Sequence, residues 1–537
     1  MNDRLFSVWT GETLILFPSG EKEAGLSSAL TFAGQVFEEY GKDVFLEDAE
    51  SKERIQCYDA VIDRADLTLP APEKEPQRQY YFMAAVHRMN IDLAIQKGAF
   101  PTMHVETFGC QANARDSESY AGILKRCGYI SSDTEDADIV LYNTCSVREN
   151  ANMRVYGHLG QMKKTKKNHP GMLIGLCGCM MQEPEVVDKL SRSYRHVDII
   201  FGTHNNYKLA ELVWMRLQTG KTVTDILPES SDIVEDLPTD RKYSFKTGVN
   251  IMFGCNNFCT YCIVPYVRGR EKSREPEDII REIRQAAADG VKEVMLLGQN
   301  VNSYGKNLQA PISFAQLIER VEKIDGIERI RFMTSHPKDM SDELIELMGR
   351  SEKLCHHLHL PLQSGSDAIL KKMNRHYTRE DYLRLVSKVR AACPDISLTT
   401  DIIVGFPGET EEDFQETMKV VEQVGYDSAF TFIYSKRTGT PAARMEDQIP
   451  DEVVHDRFDR LLALVQSKAA QGAGRFVGMT VPVLAESVND HDPSMLTGRM
   501  SQNFLVHFKA SPELIGQIVN VTLTESKGFY YIGEMQE

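Results

Sequence analysis

Three cysteines spaced C-x3-C-x2-C near the middle of the chain restrict what it can fold into more than any other feature. Cys255, Cys259 and Cys262 lie in the stretch 253–265, FGCNNFCTYCIVP. A tight loop with this spacing can bring three thiolates onto one face of a cubane iron–sulfur cluster, so that the fourth iron has no protein ligand. An open iron can bind a substrate or cofactor, whereas a closed four-thiolate site holds structure or passes electrons.

The alternative for this stretch is a zinc knuckle or a set of buried thiols. Zinc sites usually have paired C-x2-C motifs or a mixture of Cys and His ligands. No second C-x2-C pair follows Cys262, and Tyr261 lies between the second and third cysteines. The spacing therefore favours an open iron–sulfur site.

The overall composition bounds the class of protein. A chain of 537 residues is too long for one core and predicts several domains, and no apolar run reaches membrane-spanning length. The N-terminus does not read as a secretory signal, and eleven cysteines in such a chain indicate metal ligation in a reducing cytoplasm rather than a disulfide framework. The net charge of −16 argues against a nucleic-acid partner. The Asp and Glu residues are unevenly distributed along the chain, however, so the net charge does not identify the binding partner.

The first hundred residues contain the weakest signals. Short apolar pieces and an amphipathic stretch near 27–40 predict a small α/β appendage, and the proline-rich run 69–76 predicts an extended linker. We find no catalytic constellation there and interpret residues 1–100 as an accessory extension of unknown role.

From residue 103 onward, short apolar runs alternate with amphipathic helical stretches, which indicates a parallel sheet with helices on its faces. Cysteines follow three of these runs, namely Cys110, Cys145 and the pair Cys177 and Cys179. Ligands in open α/β sheets collect beyond the carboxyl ends of the strands, and neighbouring strands lie about 4.8 Å apart. Three thiolates can therefore converge on one cluster, although each cysteine taken alone is more often a buried apolar residue.

Six further strand–helix units follow the polar, acidic stretch 221–244. In barrels built from strand–helix units, functional residues lie at the carboxyl ends of the strands. The candidates by this rule are Gln299, Asn300, Ser335, His336, Gln363, Ser364, Gly405 and Glu409.

The last 65 residues contain short strands without helices, which predicts a small antiparallel barrel of the oligonucleotide-binding kind in outline, or a generic β appendage. Two basic runs could bind phosphate or could be ordinary solvated segments. The first comprises Arg148, Arg154, Lys163, Lys164, Lys166 and Lys167, and the second comprises Arg268, Arg270, Lys272 and Arg274.

Several stretches together resemble one family. They are ETFGCQ at 106–111, NTCSVRENA at 143–151, GCM at 178–180, the Cys255–Cys262 loop, LGQNVNSY at 297–304, HLPLQSGS at 359–366 and TDIIVGFPGET at 400–410. The spacing of the loop is that of the radical S-adenosylmethionine (SAM) enzymes, and the set resembles the methylthiotransferases among them. Within that family the chain looks most like the MiaB type, which acts on tRNA.

The resemblance covers roughly residues 101–537 and implies an α/β protein with three family domains. These are an N-terminal open parallel sheet domain, a partial (β/α)6 radical SAM barrel and a small C-terminal antiparallel β-barrel called TRAM, which grips RNA. The expected division is 1–100 extension, 101–220 methylthiotransferase domain, 221–244 linker, 245–472 radical SAM barrel and 473–537 TRAM domain.

The resemblance also implies the ligands. Cys255, Cys259 and Cys262 would hold a [4Fe–4S] cluster that chelates SAM, and Cys110, Cys145 and Cys179 would hold a second [4Fe–4S] cluster that carries a sulfur. The family ligand is the cysteine of Gly-Cys, which is Cys179, so Cys177 is an extra thiol without an assigned role. The expected SAM contacts are Tyr261, Gln299, Asn300, Gly405 and Glu409. The Gly405–Gly408 loop would let backbone approach the adenosyl group, although a simple βα turn explains it equally well.

The implied reaction is radical removal of the hydrogen on carbon 2 of an isopentenyl-modified adenosine beside the tRNA anticodon, followed by delivery of a methylthio group. The reaction consumes two SAM molecules. An electron donor such as flavodoxin or ferredoxin and a sulfur source are the further partners, and a cytoplasmic monomer is expected. Two other substrates stay open, namely threonylcarbamoyl-adenosine in tRNA and an aspartate of a ribosomal protein. The stretch 146–150 favours the isopentenyl substrate by resemblance. A metal-stabilised RNA-binding module without catalysis is the third alternative.

Overall fold

The computed structural model describes residues 4–146, 149–229 and 232–536, with side chains except those of 149–152. The chain divides into two compact units, Met1–Lys242 and Tyr243–Glu537. Each unit has its own hydrophobic cores.

The first unit begins with a small antiparallel sheet in the order β2-β1-β4-β5, with β3 paired to β1. Its strands are β1 (Leu5–Thr10), β2 (Thr13–Ile15), β3 (Ala24–Gly25), β4 (Val44–Asp48) and β5 (Arg54–Tyr58). Helix α1 (Leu26–Tyr40) packs on this sheet through Ala29, Leu30, Ala33 and Val36. Helix α2 (Gln77–Lys97) follows, and the sequence patterns did not predict it.

The larger sheet of the first unit is six-stranded, parallel at every pairing, and ordered β11-β10-β9-β8-β6-β7. Its strands are β6 (Thr102–Thr107), β7 (Ile130–Ser131), β8 (Ile139–Thr144), β9 (Leu173–Gly178), β10 (Ile199–Phe201) and β11 (Val223–Asp225). The helices are α3 (Gln111–Arg126), α4 (Glu149–Asn168), α5 (Pro184–Ser193) and α6 (Leu209–Thr219). Strand β11 lies inside the stretch that was expected to be a linker.

Alternate residues of the central strands pack into two different hydrophobic cores, one on each face of the sheet. Leu141 and Ile199 contribute to the core that includes Phe82 of α2, whereas Val140 and Ile174 contribute to the core on the other face. Both faces of the sheet are therefore covered, as parallel sheets require.

The second unit contains six parallel strands in two groups, β12-β15-β16 and β17-β18-β19. The groups join where the backbone of residues 353–355 pairs with Ile330. The strands are β12 (Lys246–Asn250), β13 (Met252–Phe253), β14 (Lys272–Ser273), β15 (Glu293–Leu297), β16 (Arg329–Phe332), β17 (His357–His359), β18 (Ser397–Val404) and β19 (Ser428–Ile433), of which β13 and β14 form a separate antiparallel pair.

The helices of this unit cover one face of the strands. They are α7 (Val264–Val267), α8 (Pro276–Ala288), α9 (Phe314–Glu322), α10 (Asp342–Arg350), α11 (Asp367–Lys372), α12 (Arg379–Ala392), α13 (Glu411–Val424) and α14 (Asp451–Gly472). Thr378 and Thr410 are the N-caps of α12 and α13, and each forms a capping box with the aspartate three residues later, Asp381 or Asp413. The predicted fold class, a partial (β/α)6 barrel with a parallel sheet domain before it and a small β-barrel after it, is confirmed.

The C-terminal strands close into a five-stranded barrel ordered β20-β21-β22-β24-β23. They are β20 (Thr480–Val488), β21 (Met495–Met500), β22 (Leu505–Lys509), β23 (Ile518–Ser526) and β24 (Tyr530–Met535), and the sequence patterns missed β21. The pairing of β22 with β24 is parallel, whereas the other pairings are antiparallel.

Two buried arginines join this small barrel to the amino ends of the parallel strands. The guanidinium of Arg331 donates to the backbone oxygens of Met500 and Ser501 at 2.8 and 3.0 Å, and to Glu293 Oε2 at 2.9 Å. Arg329 donates to backbone oxygens of the same barrel at 2.7 Å. Burial opposes ionisation of Glu293, but the two arginines hold the pKa of its carboxyl below the usual range.

Within the described ranges, the helices do not include one that is long and apolar enough to cross a membrane.

Candidate functional site

Hydrogen bonds to four separate segments hold the Cys255–Cys262 loop beyond the carboxyl end of β12. Cys255 N donates to Gly269 O at 3.1 Å, and Thr260 N donates to Met373 O at 3.0 Å. Gly254 N donates to the side-chain oxygen of Gln299 at 2.6 Å. The Thr260 carbonyl in turn accepts from Ala442 N at 2.9 Å. The loop is therefore fixed before any ligand binds.

Gly254 is required by the shape of this loop. Its φ of +74° is left-handed, and a β-carbon there would lie 2.1 Å from the backbone oxygen of Arg270. Side-chain-bearing residues rarely adopt such a φ, and here the contact is with backbone that cannot move aside. A glycine immediately before the first cysteine thus lets the loop turn back on itself.

A buried arginine contacts one of the three thiols. Arg375 is 4% exposed, and its guanidinium donates to Cys259 Sγ at 3.5 Å and to Pro361 O at 3.1 Å. Burial raises the pKa of the Cys255 thiol to about 11 and that of Cys262 to about 12, while the charge of Arg375 acts in the opposite direction. Sequence patterns did not single out Arg375, because an arginine at this position in the chain has no local signature.

This donor set fits the cluster that the spacing implies. Soft thiolates suit iron–sulfur clusters, and a nearby buried cation stabilises the negative charge that three thiolates bring. In the absence of metal the raised pKa values favour neutral thiols, so metal binding must release their protons.

The ends of the next three strands present buried polar atoms that lack hydrogen-bond partners among the described residues. They are Asn300 Oδ1, Ser335 Oγ, His336 Nε2 and Gln363 Oε1. All four residues had been predicted from their positions at strand ends. An unpaired buried polar atom costs about 1–3 kcal/mol, so four of them at one end of the strands indicate a ligand site.

His336 is neutral in this environment. Burial, together with the charge of Arg375, lowers the pKa of its imidazole to about 2. Its Nδ1 accepts from Lys338 N at 3.2 Å, so its Nε2 carries the proton and can donate to a ligand.

Two of the expected SAM contacts are engaged in holding loops. The oxygen of the Gln299 side chain is bonded to Gly254, as described above. Glu409 Oε2 accepts from Gly405 N and from Arg457 Nη1, both at 2.9 Å, and the Glu409 side chain is 1% exposed. Burial raises the pKa of the Glu409 carboxyl although both bonds favour the ionised form.

The loop after β18 also requires glycine. Gly405 has a φ of +73°, and a β-carbon there would lie 2.6 Å from a methyl group of Val454. The ring of Phe406 is fully buried, and its centroid lies 6.5 Å from that of Tyr261 in the cysteine loop. The first and fifth strand ends are thereby in direct contact, which connects Tyr261 to the loop that contains Gly405.

In the first unit, three cysteines follow the carboxyl ends of three adjacent parallel strands. Thr107 of β6 pairs with Asn143 of β8, and Asn143 pairs with Cys177 of β9. Cys145 and Cys179 each lie two residues beyond that paired level, and Cys110 is the N-cap of α3 three residues beyond it. The three cysteines therefore lie at one edge of the sheet, as predicted.

Two asparagines tie these strand ends together. Asn113 Nδ2 donates to Asn143 Oδ1 at 3.1 Å and to Thr144 O at 2.9 Å. Asn143 Nδ2 donates to Asn113 O at 2.8 Å, and Asn113 Oδ1 accepts from Cys110 N at 3.4 Å. Asn143 lies in a stretch that resembles the family, whereas the partnership with Asn113 could be found only in the fold.

Cys177 is placed differently from Cys179. Cys177 belongs to β9, is fully buried and contributes to the same core as Leu141 and Ile199. Its Sγ lies 3.7 Å from Tyr142 O. Cys179 begins the short 3-10 turn after β9, beyond the end of the strand.

The second basic run is mostly turned away from solvent. Arg268 and Arg274 are 8% and 7% exposed, and Arg274 pairs with Glu282 at 2.7 Å. Arg270 is exposed and lies over the ring of Phe258, with its guanidinium carbon 4.4 Å from the ring centroid. Only Arg270 and the half-buried Lys272 therefore remain candidates for phosphate contact.

The first basic run lies on α4. Lys166 is engaged with Asp198 and with His196 O, whereas Arg154, Lys163, Lys164 and Lys167 are exposed. Arg148 lies outside the described residues, and the stretch 146–150 on which the substrate preference rested is described only in part.

Three sequence families match the chain. The radical SAM superfamily matches residues 249–421, the uncharacterized protein family UPF0004 matches residues 102–202, and the TRAM domain matches residues 474–535. Membership of the radical SAM superfamily implies a [4Fe–4S] cluster and SAM.

Similar proteins cover most of the chain. The tRNA-2-methylthio-N(6)-dimethylallyladenosine synthase of Lachnoclostridium phytofermentans is 63% identical over 436 residues, which are 81% of this chain and 96% of that protein. The proteins of the same name from Thermoanaerobacter sp. and Clostridioides difficile are 51% and 49% identical, each over 87% of this chain and 98% of the relative. The chain therefore belongs to the radical SAM methylthiotransferases, and within them to the family of tRNA-2-methylthio-N(6)-dimethylallyladenosine synthases.

Proposed function

We propose that this protein adds a methylthio group to carbon 2 of N6-dimethylallyl adenosine beside the anticodon of tRNA. The observation that carries the proposal is the presence of two separate three-cysteine sets, each beyond the carboxyl ends of parallel strands. The names of relatives up to 63% identical support the choice of reaction and substrate.

The two cysteine sets have separate tasks in this proposal. Cys255, Cys259 and Cys262 hold the [4Fe–4S] cluster that binds SAM, and Cys110, Cys145 and Cys179 hold a second [4Fe–4S] cluster. The burial of Cys177 in the core of the first unit supports Cys179 as the third ligand of that second set.

When bound, the two clusters and SAM supply the radical and sulfur chemistry that no side chain can perform on an unactivated C–H bond. The chain's own residues bind and orient these groups. Arg375 offsets the negative charge of the first thiolate set. Asn300, together with Ser335, His336 and Gln363, offers unpaired polar atoms to SAM.

The remaining expected SAM contacts divide by role. Tyr261 and Gly405 lie on the two loops that meet at Phe406 and would line the SAM site. Gln299 and Glu409 act by holding the loops that contain Gly254 and Gly405. We therefore regard Gln299 and Glu409 as positioning residues.

The other parts of the chain complete the proposal. The five-stranded barrel over 473–537 grips the anticodon stem-loop, with Arg270 and the exposed cations of α4 as further phosphate contacts. Residues 101–220 form the methylthiotransferase domain, residues 245–472 form the radical SAM barrel, and residues 1–100 are an added segment. An electron donor such as flavodoxin or ferredoxin and a sulfur source act in the reducing cytoplasm, and the enzyme works as a monomer.

Nucleoside mass spectrometry of tRNA tests the proposal directly. Cells without this protein should lack 2-methylthio-N6-dimethylallyl adenosine and accumulate the N6-dimethylallyl nucleoside. The wild-type chain should restore the product, and Cys259→Ala should not. Loss of a threonylcarbamoyl product, or of a modified ribosomal aspartate, would instead identify one of the other substrates. A colourless, zinc-containing protein with normal tRNA modification would support the non-catalytic RNA-binding module.

A further inference from the structure

We propose that the inner face of the last two parallel strands binds the adenine and selects a neutral alkyl group on its N6 atom. This face, hereafter the inner strand face, comprises Asp401 and Ile403 of β18 with Phe430 and Phe432 of β19. The inference rests on the proposed function and names the part of the site that recognises the substrate.

Strand register places these four side chains together. Leu398, Ile402 and Val404 of β18 belong to the core beneath the helices, so Asp401 and Ile403 point to the opposite face. Asp401 pairs with Phe430, and Ile403 pairs with Phe432. Paired residues in neighbouring strands share a face, and the four side chains therefore form one patch.

Two large aromatic rings on this patch lack cover. Phe430 is 53% exposed and Phe432 is 42% exposed, although both lie within a strand of the parallel sheet. Parallel sheets are normally buried on both faces. Two residues after Phe432, just beyond the end of β19, the hydroxyl of Tyr434 is buried without a hydrogen-bond partner among the described residues. An apolar surface next to an unpaired polar atom indicates a mostly apolar ligand with polar edges.

A purine fits these features. Unstacked bases of single-stranded RNA loops are recognised by stacking on aromatic side chains and by hydrogen bonds to their edges. Phe430 offers a ring face, and the carboxylate of Asp401 can accept the hydrogen of an N6–H group. The imidazole of His359 lies 3.4 Å from that carboxylate, and its ring centroid lies 6.0 Å from that of Phe430.

The charge of the patch discriminates between the candidate substrates. A dimethylallyl group is neutral and branched, so it can pack on Phe432 and Ile403. A threonylcarbamoyl group carries a carboxylate, which Asp401 would repel. The buried Arg331, at the amino ends of the same set of strands, is already paired with Glu293 at 2.9 Å. The inner strand face thus favours the dimethylallyl base by apolar contact and disfavours the acidic one by repulsion.

The test uses the reconstituted full-length enzyme and anticodon stem-loop RNAs that carry dimethylallyl, threonylcarbamoyl or no modification on the target adenosine. Each RNA is measured for Kd without reductant, and for KM and kcat with it. Phe432→Ala should raise Kd and KM for the dimethylallyl RNA about tenfold and leave the Kd of unmodified RNA unchanged. Phe432→Leu should restore at least half of the lost discrimination. Asp401→Asn should tighten binding of the threonylcarbamoyl RNA at least tenfold relative to wild type.

Controls separate this inference from folding defects and from the proposed function. Tyr40→Ala removes an aromatic ring that is 50% exposed on α1 and should leave every constant unchanged. Iron content and SAM cleavage without RNA confirm that each variant is intact. A wild-type enzyme that modifies none of the RNAs would contradict the proposed function. If the wild type acts on the dimethylallyl RNA, and Phe432→Ala and Asp401→Asn both keep its full discrimination, the proposed role of the inner strand face is wrong.

Discussion

Cys177 and Cys179 are separated by one residue and form a matched pair of substitutions. Cys177→Ala removes one sulfur atom from a fully buried core position. The lost transfer free energy of a group of that size is about 0.8 kcal/mol, and the small cavity adds about 0.5 kcal/mol. A loss near 1.3 kcal/mol lowers the melting temperature of a unit this large by roughly 3–5 °C. The ligand set of the second cluster is untouched, so iron should stay at about eight atoms per chain.

Cys179→Ala should have the opposite profile. It removes one of three proposed thiolates, and a cubane held by only two is not expected to persist, so iron should fall to about four atoms per chain. The first cysteine set lies in the other unit, so the variant should still form 5′-deoxyadenosine from SAM under reductant while making no methylthio-tRNA. Cys110→Ala and Cys145→Ala should behave in the same way.

The assay combines iron analysis after anaerobic reconstitution, chromatography of 5′-deoxyadenosine and mass spectrometry of the tRNA. Thermal melting of the metal-free proteins provides the stability comparison. An active Cys179→Ala enzyme with eight irons, beside an inactive Cys177→Ala enzyme with four, would refute the reasoning from core placement and show that Cys177 is the ligand.

Three further predictions address other parts of the molecule. Replacing all three cysteines of the range 255–262 by Ala should leave about four irons per reconstituted chain and abolish 5′-deoxyadenosine formation, and loss of all iron would contradict the assignment of two separate sites. Arg331→Met should destabilise the contact between the parallel strands and the small barrel by about 3–5 kcal/mol, because the buried carboxylate of Glu293 then has only the more distant Arg329 beside it. Faster proteolytic release of the small barrel would show this loss of stability. Arg270→Gln should weaken tRNA binding and lower the slope of log Kd against log salt by roughly 0.7–0.9, whereas Arg281→Gln, which removes the same charge from the exposed side of α8, should leave the slope unchanged.

Regular hydrophobic patterns predicted most of the elements that position the site. The six parallel strands of the second unit were predicted to within a few residues, because short apolar or alternating runs lie before each amphipathic helical stretch and are bounded by turn signals. Helix α2 was missed because Gln79, His87 and Asn90 interrupt the apolar pattern of its buried residues. Its His87 is bonded to Asp63 at 2.5 Å, and Asn90 donates to Cys127 O at 2.8 Å. Such partners are distant in sequence, so no local pattern indicates that these residues are buried.

Strand β21 was missed for a related reason. It contains Gly498, which usually weakens a strand. In the fold a β-carbon at Gly498 would lie 2.5 Å from a methyl group of Val483, so glycine is the residue that allows β20 and β21 to approach each other. The sequence shows the glycine, but only the neighbouring strand explains it.

The basic run after the cysteine loop shows that the sequence alone does not reveal which charged side chains are exposed. Arg268, Arg270, Lys272 and Arg274 look equivalent in a linear chain. The fold buries Arg268 and Arg274, pairs Arg274 with Glu282 and exposes Arg270. Burial depends on which neighbours the strand meets, and the neighbours come from other segments.

The sequence by itself determined which atoms are available for chemistry and which strands carry them. The spacing of Cys255, Cys259 and Cys262 fixes how three thiols can share one loop, because a short loop has few conformations. Everything that depends on distant segments was decided by the tertiary structure. That includes Arg375 beside the thiols, the burial of Cys177 in the core and the alignment of Asp401 with Phe430. Contacts between distant residues follow from how strands pair and helices pack, and spacing along the chain does not specify them.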